Sequence, residues 1–181
     1  MGLLSYNEIK ELIATGVVTD VPEEHINGAS IEVTLGDCLL VEANRGAVVD
    51  LAKKQTINTS PVTLTSYQPY IDIYPKQVVL AETREKFYLP ADIVAEYTLK
   101  SSMARNFLEH LHAGYCDPTW NNAVLTMEFC NLSEFHVLRL TRGMKIGQIK
   151  LYRVEPVPPE KSYAKVGQYN NQDSVVVKGV R

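Results

Sequence analysis

The chain is expected to fold as a mainly β protein, a distorted jelly roll or barrel with few helices. Two observations point there. Beyond residue 16 the apolar residues recur at period two or in short runs, and turn-forming residues break those runs at short intervals. Many short strands separated by turns favour a sandwich, jelly roll or distorted barrel. Composition sets the bounds. The 181 residues are 45% hydrophobic and 22% charged, ordinary for a globular chain. That length suits one domain and buries roughly two-thirds of its surface on folding, so no disulfide scaffold is needed. The formal net charge of −3 argues against a dedicated binder of polymeric nucleic acid or of an acidic membrane. Cys38, Cys116 and Cys130 are odd in number and far apart, with no Cys-x-x-Cys pair, which fits a reducing compartment. No run approaches the roughly 18 apolar residues of a membrane span, and the N-terminus lacks a signal peptide's build. A cytoplasmic protein is expected, in the host's cytoplasm if the chain is viral.

The elements follow in order. Ser5 and Glu8 form a capping box, Ile9, Leu12 and Ile13 share one helical face, and Gly16 closes the helix. Strands are expected at Ser30–Leu35, Cys38–Glu42, Val62–Leu64, Tyr70–Ile73, Gln77–Glu82, Phe87–Leu89, Val94–Leu99, His110–Ala113, Ala123–Asn131, Phe135–Leu140 and Lys145–Arg153. Gly36-Asp37, Asn44-Arg45-Gly46, Tyr74-Pro75-Lys76, Leu89-Pro90-Ala91-Asp92, Asp117-Pro118 and Arg142-Gly143 supply turns. Within Lys100–Leu108, Ser101 and Ser102 are suited to cap a short helix carrying Met103, Ala104 and Phe107. From Val154 the character changes: Pro156, Pro158 and Pro159 break any sheet, and Gln168–Asp173 is polar. That tail is either a frayed terminus or a cover over a ligand, and as a polar cover it should make few core contacts.

The general motifs are absent: no Gly-rich phosphate loop, no His-Glu-x-x-His, and neither half of the zinc deaminase pattern. His110 and His112 alternate on an expected strand, without matching metal ligands nearby in sequence. Lys100-Ser101-Ser102-Met103-Ala104-Arg105 gathers hydroxyls and cations at a helix start, which reads as an anion site or as a capped surface helix with solvated charges. Glu128 interrupts an apolar run and shares a strand face with Val124 and Thr126. A partly buried carboxylate there would have a raised pKa and could act as general acid and base; the other reading is a solvated strand face. Asp117 before Pro118 reads first as a turn initiator.

Taken in order, these segments resemble the dCTP deaminase branch of the trimeric dUTPase superfamily, nearly end to end. The resemblance rests on Ile26-Asn27-Gly28-Ala29-Ser30-Ile31-Glu32-Val33-Thr34-Leu35-Gly36-Asp37, on Ala81–Glu85 with Leu89–Ala95, and on Lys100–Arg105 as the family's Arg/Lys-Ser-Ser-x-x-Arg motif. Ala113–Trp120 followed by Leu125–Asn131, then Gly143–Gln148 and Gly167–Gln172, continue the order. The resemblance implies a dUTPase-type jelly roll with a short helix after the Ser-Ser motif. It implies one domain over residues 1–181, whose tail at 154–181 covers the active site, and a homotrimer with sites shared between subunits. It also implies Mg²⁺ bound through a substrate triphosphate, and no zinc. Glu128 stands where deaminases, unlike classical dUTPases, carry a glutamate.

The expected reaction is therefore dCTP plus water giving dUTP and ammonia, which supplies dTTP synthesis. A bifunctional deaminase–diphosphatase and a deaminase that also accepts dCMP are the alternatives. By the same match Glu128 moves the proton, Ser101 and Arg105 position water and polarise the reacting centre, and the Ala113 carbonyl holds water or amine. An arginine near Glu128 would keep it ionised. Lys100, Ser102 and Gln148 are matched to the phosphates, Tyr169 and Gln172 to nucleotide contacts from the tail, and Asp117 to the sugar or to a second acid role; Tyr115 either contacts substrate or packs. The chain departs from the family pattern at Glu32, Leu99, His112, Tyr115 and Gln168, all around the expected substrate.

Overall fold

The computed structural model describes residues 2–43 and 48–177; the expected turn at Asn44-Arg45-Gly46 lies outside the described residues. In chain order the elements are β1 (Gly2–Leu3), α1 (Tyr6–Ala14), β2 (Ile31–Glu42), β3 (Thr59–Thr63), β4 (Tyr70–Ile73), β5 (Val78–Tyr88), β6 (Ile93–Leu99), α2 (Ser101–Ala104), β7 (Leu108–His110), β8 (Tyr115–Cys116), β9 (Asn121–Asn131), β10 (Leu138–Thr141), β11 (Lys145–Arg153) and α3 (Tyr163–Val166). The fold is mainly β, a curled antiparallel sheet in the order β7-β9-β5-β2-β11-β6-β8, with β1 beside β11 and β3 beside β2. β4 and β10 pair separately, where Arg139 grips Asp72 through two hydrogen bonds. No helix among the described residues is long and apolar enough to cross a membrane.

α1 begins as its sequence requires, with the Ser5 N–H donating to the Glu8 carboxylate at 2.9 Å. Ile9 is fully buried, Leu12 and Ile13 pack against the core, and Gly16 follows the helix with φ of 84°. The core itself is the inward face of the strands, with Phe87 stacked on Trp120 at 5.4 Å and Ile31, Leu35, Met127, Phe129 and Ile149 buried around them. Burying side chains of this size is worth about 1.5–3 kcal/mol each before entropy is counted.

Two corrections to the strand reading share one cause. β2 does not stop at Gly36-Asp37. Its first half pairs with β11 and its second with β3 and β5, and the register against β5 shifts between Leu35 and Leu39. The glycine marks the bend where a strand changes partners. β5 likewise runs through the expected gap between Glu82 and Phe87, with a shift against β9. There the Thr83 hydroxyl donates to the Glu85 carbonyl and accepts the Leu125 N–H, replacing ladder bonds lost at the bulge. Gly and polar residues signal a bulge as readily as a turn. β7 also lies earlier than expected, at Leu108–His110 instead of His110–Ala113, and the two-residue edge strand β8 is extra.

α2 departs from the expected capping. Lys100 is the N-cap residue, both serines lie inside the helix, and Phe107 falls beyond it with φ of 61°, 65% exposed. The helix therefore includes the Ser-Ser pair instead of following it.

Two buried details carry predictions. A Cβ on Gly147 would stand 2.6 Å from Cζ of the buried Tyr97 ring. Gly147→Ala is expected to cost about 1–3 kcal/mol, as overpacking does. It should appear as a lower denaturant midpoint with an unchanged slope; an unchanged midpoint would mean the ring has room. Glu85 is 1% exposed, and its carboxylate accepts from the Thr34 N–H and hydroxyl. Burial pushes its pKa above the ordinary carboxylate value, against the lowering by the Thr34 bonds. A folded-state pKa above the unfolded one gives stability that is complete below the unfolded value and is lost as pH rises through the folded one. Wild type should therefore lose stability relative to Glu85→Gln as pH is raised from about 4 to 8. A difference independent of pH would contradict this.

Candidate active site

β9 carries the central carboxylate. In the strand register Glu128 stands opposite Leu80 of β5. Leu111, beyond the end of β7, donates its N–H to the Glu128 backbone carbonyl at 3.3 Å. Period two sends Met127 and Phe129 into the core and puts Glu128 with Thr126 and Val124 along one cavity. That cavity has a volume of about 550 Å³, well within the range of small-molecule sites. Ala113, Tyr115, Asp117 and Glu128 line it, with Tyr169 and Gln172 from the tail. Six of the expected site residues thus meet around one space.

Glu128 is half-buried, and burial raises its pKa; only a backbone hydrogen bond of its own residue pulls the other way. Beyond that bond its side chain has no hydrogen-bond or ion-pair partner among the described residues, and no arginine among them supports its charge. Asp117 opens a turn, its carbonyl accepting the Trp120 N–H at 3.2 Å while Thr119 takes φ of 69°. The side chain is exposed toward the cavity. Tyr115 is 64% exposed at the rim. Cys116 also lines the cavity, but burial pushes its thiol up to about 12, which removes it as a nucleophile near neutral pH.

The tail docks over this cavity by its backbone as much as by its side chains. The Trp120 indole N–H donates to the Tyr169 carbonyl at 2.9 Å, and the Asn121 N–H to the Asn170 side chain at 2.6 Å. The Gln172 carbonyl accepts the Val124 N–H at 2.9 Å, and its side-chain amide donates to the Thr126 hydroxyl at 2.8 Å. Gln172 and Val175 are buried, and Tyr163 packs against the core. The tail is therefore more tightly held than a polar cover with few core contacts.

Lys100, Ser101, Ser102, Arg105 and Gln148 do not line the cavity. They form a second group at the end of β6, on α2 and on β11. Ser101, Ser102 and Arg105 are exposed. Glu32 sits between Lys100 and Lys145, bonded to the first and 2.5 Å from the second. Burial pushes the Glu32 carboxyl up, but the two lysine hydrogen bonds outweigh it and hold the carboxyl below the ordinary range. Gln148 pairs with Glu32 across β11 and β2. This face combines exposed hydroxyls and cations, a set matched to phosphate oxygens.

His110 and His112 do not alternate on one strand. β7 ends at His110, and His112 turns with φ of 55°, bringing the rings 4.3 Å apart. Glu109, His110 and His112 place ligand atoms within 4.8 Å of one another, the one such group among the described residues. The His110 Nδ1 already accepts the His112 backbone N–H.

Sequence reasoning missed Trp120 as a tail anchor, Thr126 as the partner of Gln172, and Glu82, which bonds the tail beyond the cavity. Glu82 had the same signal as Glu128, an acid inside an apolar strand.

The profile of a family described as dCTP deaminase-like matches residues 3–154. A protein of Aquifex aeolicus named dCTP deaminase, dUMP-forming, is 34% identical over 176 residues, covering 96% of this chain and 92% of its own. One of Acidothermus cellulolyticus with the same name is 36% identical over 165 residues, covering 89% and 84%. The crystal structure of 2'-deoxycytidine 5'-triphosphate deaminase from Agrobacterium tumefaciens superposes with a TM-score of 0.66 at 19% identity, covering 85% of this chain and 49% of that one. At that identity the likeness bears on the fold.

Proposed function

We propose that this chain, which belongs to the dCTP deaminase-like family, hydrolyses the amine from the cytosine ring of dCTP. The observation that carries the reading is Glu128: a half-buried carboxylate of raised pKa, facing a nucleotide-sized cavity roofed by the chain's own tail. Deamination needs a group that takes a proton from water as the oxygen attacks C4 and returns it to ring N3. The new C4 hydroxyl then gives its proton, by way of the same carboxylate, to the amine; the C4–N bond breaks as C4=O forms, and dCTP plus water becomes dUTP plus ammonia. A carboxylate with a pKa shifted toward neutrality suits both transfers. The Ala113 backbone at the cavity wall is in place to hold the attacking water or the departing amine.

Among the described residues the cavity lining contains Glu128 and Asp117 but no lysine or arginine. A triphosphate needs cations, which this described lining does not supply. We assign the missing half to a neighbouring copy in a homotrimer, whose Lys100, Ser102 and Gln148 face the phosphates and whose Ser101 and Arg105 reach the reacting centre. The separation of these residues from the cavity within one chain supports this arrangement. Because Glu32 is already taken by two lysines, the donors beside Lys100 suit phosphate oxygens better than a metal ion. Mg²⁺ would ride on the triphosphate, where it neutralises part of the charge and prefers phosphate oxygens and water.

A second step, from dUTP on to dUMP and pyrophosphate, is favoured by two observations. Asp117 shares the cavity with Glu128, and the relatives named above carry the words dUMP-forming. The test is a panel of dCTP, dCMP, CTP and dUTP, with ammonia and pyrophosphate followed separately. Ammonia from dCTP is the expected result. Pyrophosphate in equal amount assigns the second step, ammonia alone removes it, and no ammonia from any substrate rejects the reading.

A further inference from the structure

We propose that Glu82 is the clasp that keeps the C-terminal tail closed over the candidate site, a positioning residue for the reaction proposed above. The catalytic part of the proposal rests on that reading; the clasp itself does not. Glu82 lies on β5 and is 9% exposed. Its Oε1 accepts the Cys38 N–H at 3.0 Å, just past the bend of β2. Its Oε2 accepts the Ser174 hydroxyl at 2.7 Å and the Val175 N–H at 3.0 Å. One carboxylate thus ties the bend of the sheet to the tail.

The surroundings are built for this side chain. A Cβ on Gly36 would meet Glu82 Cγ at 2.5 Å, so the glycine opens the space the glutamate fills. A buried carboxylate must have its oxygens occupied by donors. Among the described residues no lysine or arginine is bonded to it, and two of its three donors come from the tail. Loss of the tail would therefore leave one Glu82 oxygen without its two protein donors. Val175 is 6% exposed beyond the clasp, and Val176 and Val177 reach the cavity wall beside Ile57 and Leu80. The neighbouring Lys86–Asp173 pair, with Asp173 81% exposed, contributes little. Gln172, on the cavity, is thus held between the Asn170 and Tyr169 bonds on one side and Glu82 on the other. A tail ordered before substrate arrives spares that ordering entropy on binding.

The test compares Glu82→Gln, Ser174→Ala and a chain ending at Asp173, with Glu82→Gln also placed in the shortened chain. Hydrogen exchange at the Val175 amide and limited proteolysis of the tail are read without nucleotide, and KM and kcat with dCTP. Glu82→Gln is expected to speed Val175 exchange about tenfold or more, the scale of a lost hydrogen bond to a charged group. It should also raise KM for dCTP. Ser174→Ala should move both the same way by less, and it keeps the test open if Glu82→Gln does not fold. In the shortened chain Glu82→Gln should change KM no further. Unchanged Val175 exchange in both variants would overturn the clasp, as would an equal effect of Glu82→Gln on KM with and without the tail. Failure of the deaminase reading would show instead as no ammonia from wild type, and the exchange measurements would still decide on the clasp.

Discussion

Glu128→Gln is expected to stop ammonia release from dCTP while the protein stays folded and still binds nucleotide. The amide has the size of the acid and can still hydrogen-bond, but it cannot take a proton from water and return it to N3. A positioned general acid and base contributes about 10²–10⁴-fold, and this residue is asked to do both transfers, so the loss should lie at the upper end. Stability should not suffer. Burial raises the Glu128 pKa, which means that the charged form is disfavoured where it sits, and the side chain has no hydrogen-bond partner beyond its own backbone among the described residues. A neutral amide removes that penalty. The variant should therefore melt no lower than wild type, and nucleotide binding by titration calorimetry should persist. Ammonia release at the wild-type rate would reject the proton-transfer role.

The second large effect is expected at Arg105, for the opposite structural reason. In one chain Arg105 is exposed, and its side chain has no hydrogen bond or ion pair among the described residues. A surface side chain of that kind normally changes stability by no more than about 0.5 kcal/mol when truncated. Arg105→Ala should accordingly leave the melting temperature in place. Yet if the guanidinium reaches the reacting centre of a neighbouring copy, its loss should cost about 10²–10³-fold in kcat, as removal of a preorganised transition-state donor does. The combination of an unchanged melt and a collapsed rate is the signature; an unchanged rate would return Arg105 to the role of a solvated charge.

Much of the fold was legible in the sequence because side-chain periodicity and turn chemistry are local. β4 and β11 run over Tyr70–Ile73 and Lys145–Arg153 as the pattern indicates, and the capping box of α1 stands where Ser5 and Glu8 put it. What local pattern does not encode is partner exchange. Gly36 and the Thr83–Lys86 stretch look like turns, but a strand that changes partners also needs a bend and spare polar groups, and only the pairing distinguishes the two. The tail misled for a related reason. Gln168–Asp173 is polar in side chains, while its docking also runs through backbone groups, which composition does not reveal.

The site was legible in part. An acid in an apolar strand marked Glu128, and the same signal at Glu82 passed unread because its donors, Cys38, Ser174 and Val175, are remote in sequence. Lys100–Arg105 and Glu128 follow one another closely along the chain, so nothing in their order shows that only the latter faces the cavity.

Complementation tests the shared site most directly. Glu128→Gln and Arg105→Ala chains, each expected to be inactive alone, are co-expressed in equal amounts to form mixed copies of the proposed trimer. If every site takes Glu128 from one copy and Arg105 from the next, random mixing leaves about one site in four with both native residues, a consequence of the cyclic arrangement. The mixture should regain about one quarter of wild-type ammonia release on that basis. A mixture as inactive as its two components, with mixed trimers demonstrated by mass, would contradict a site built from two copies of the chain.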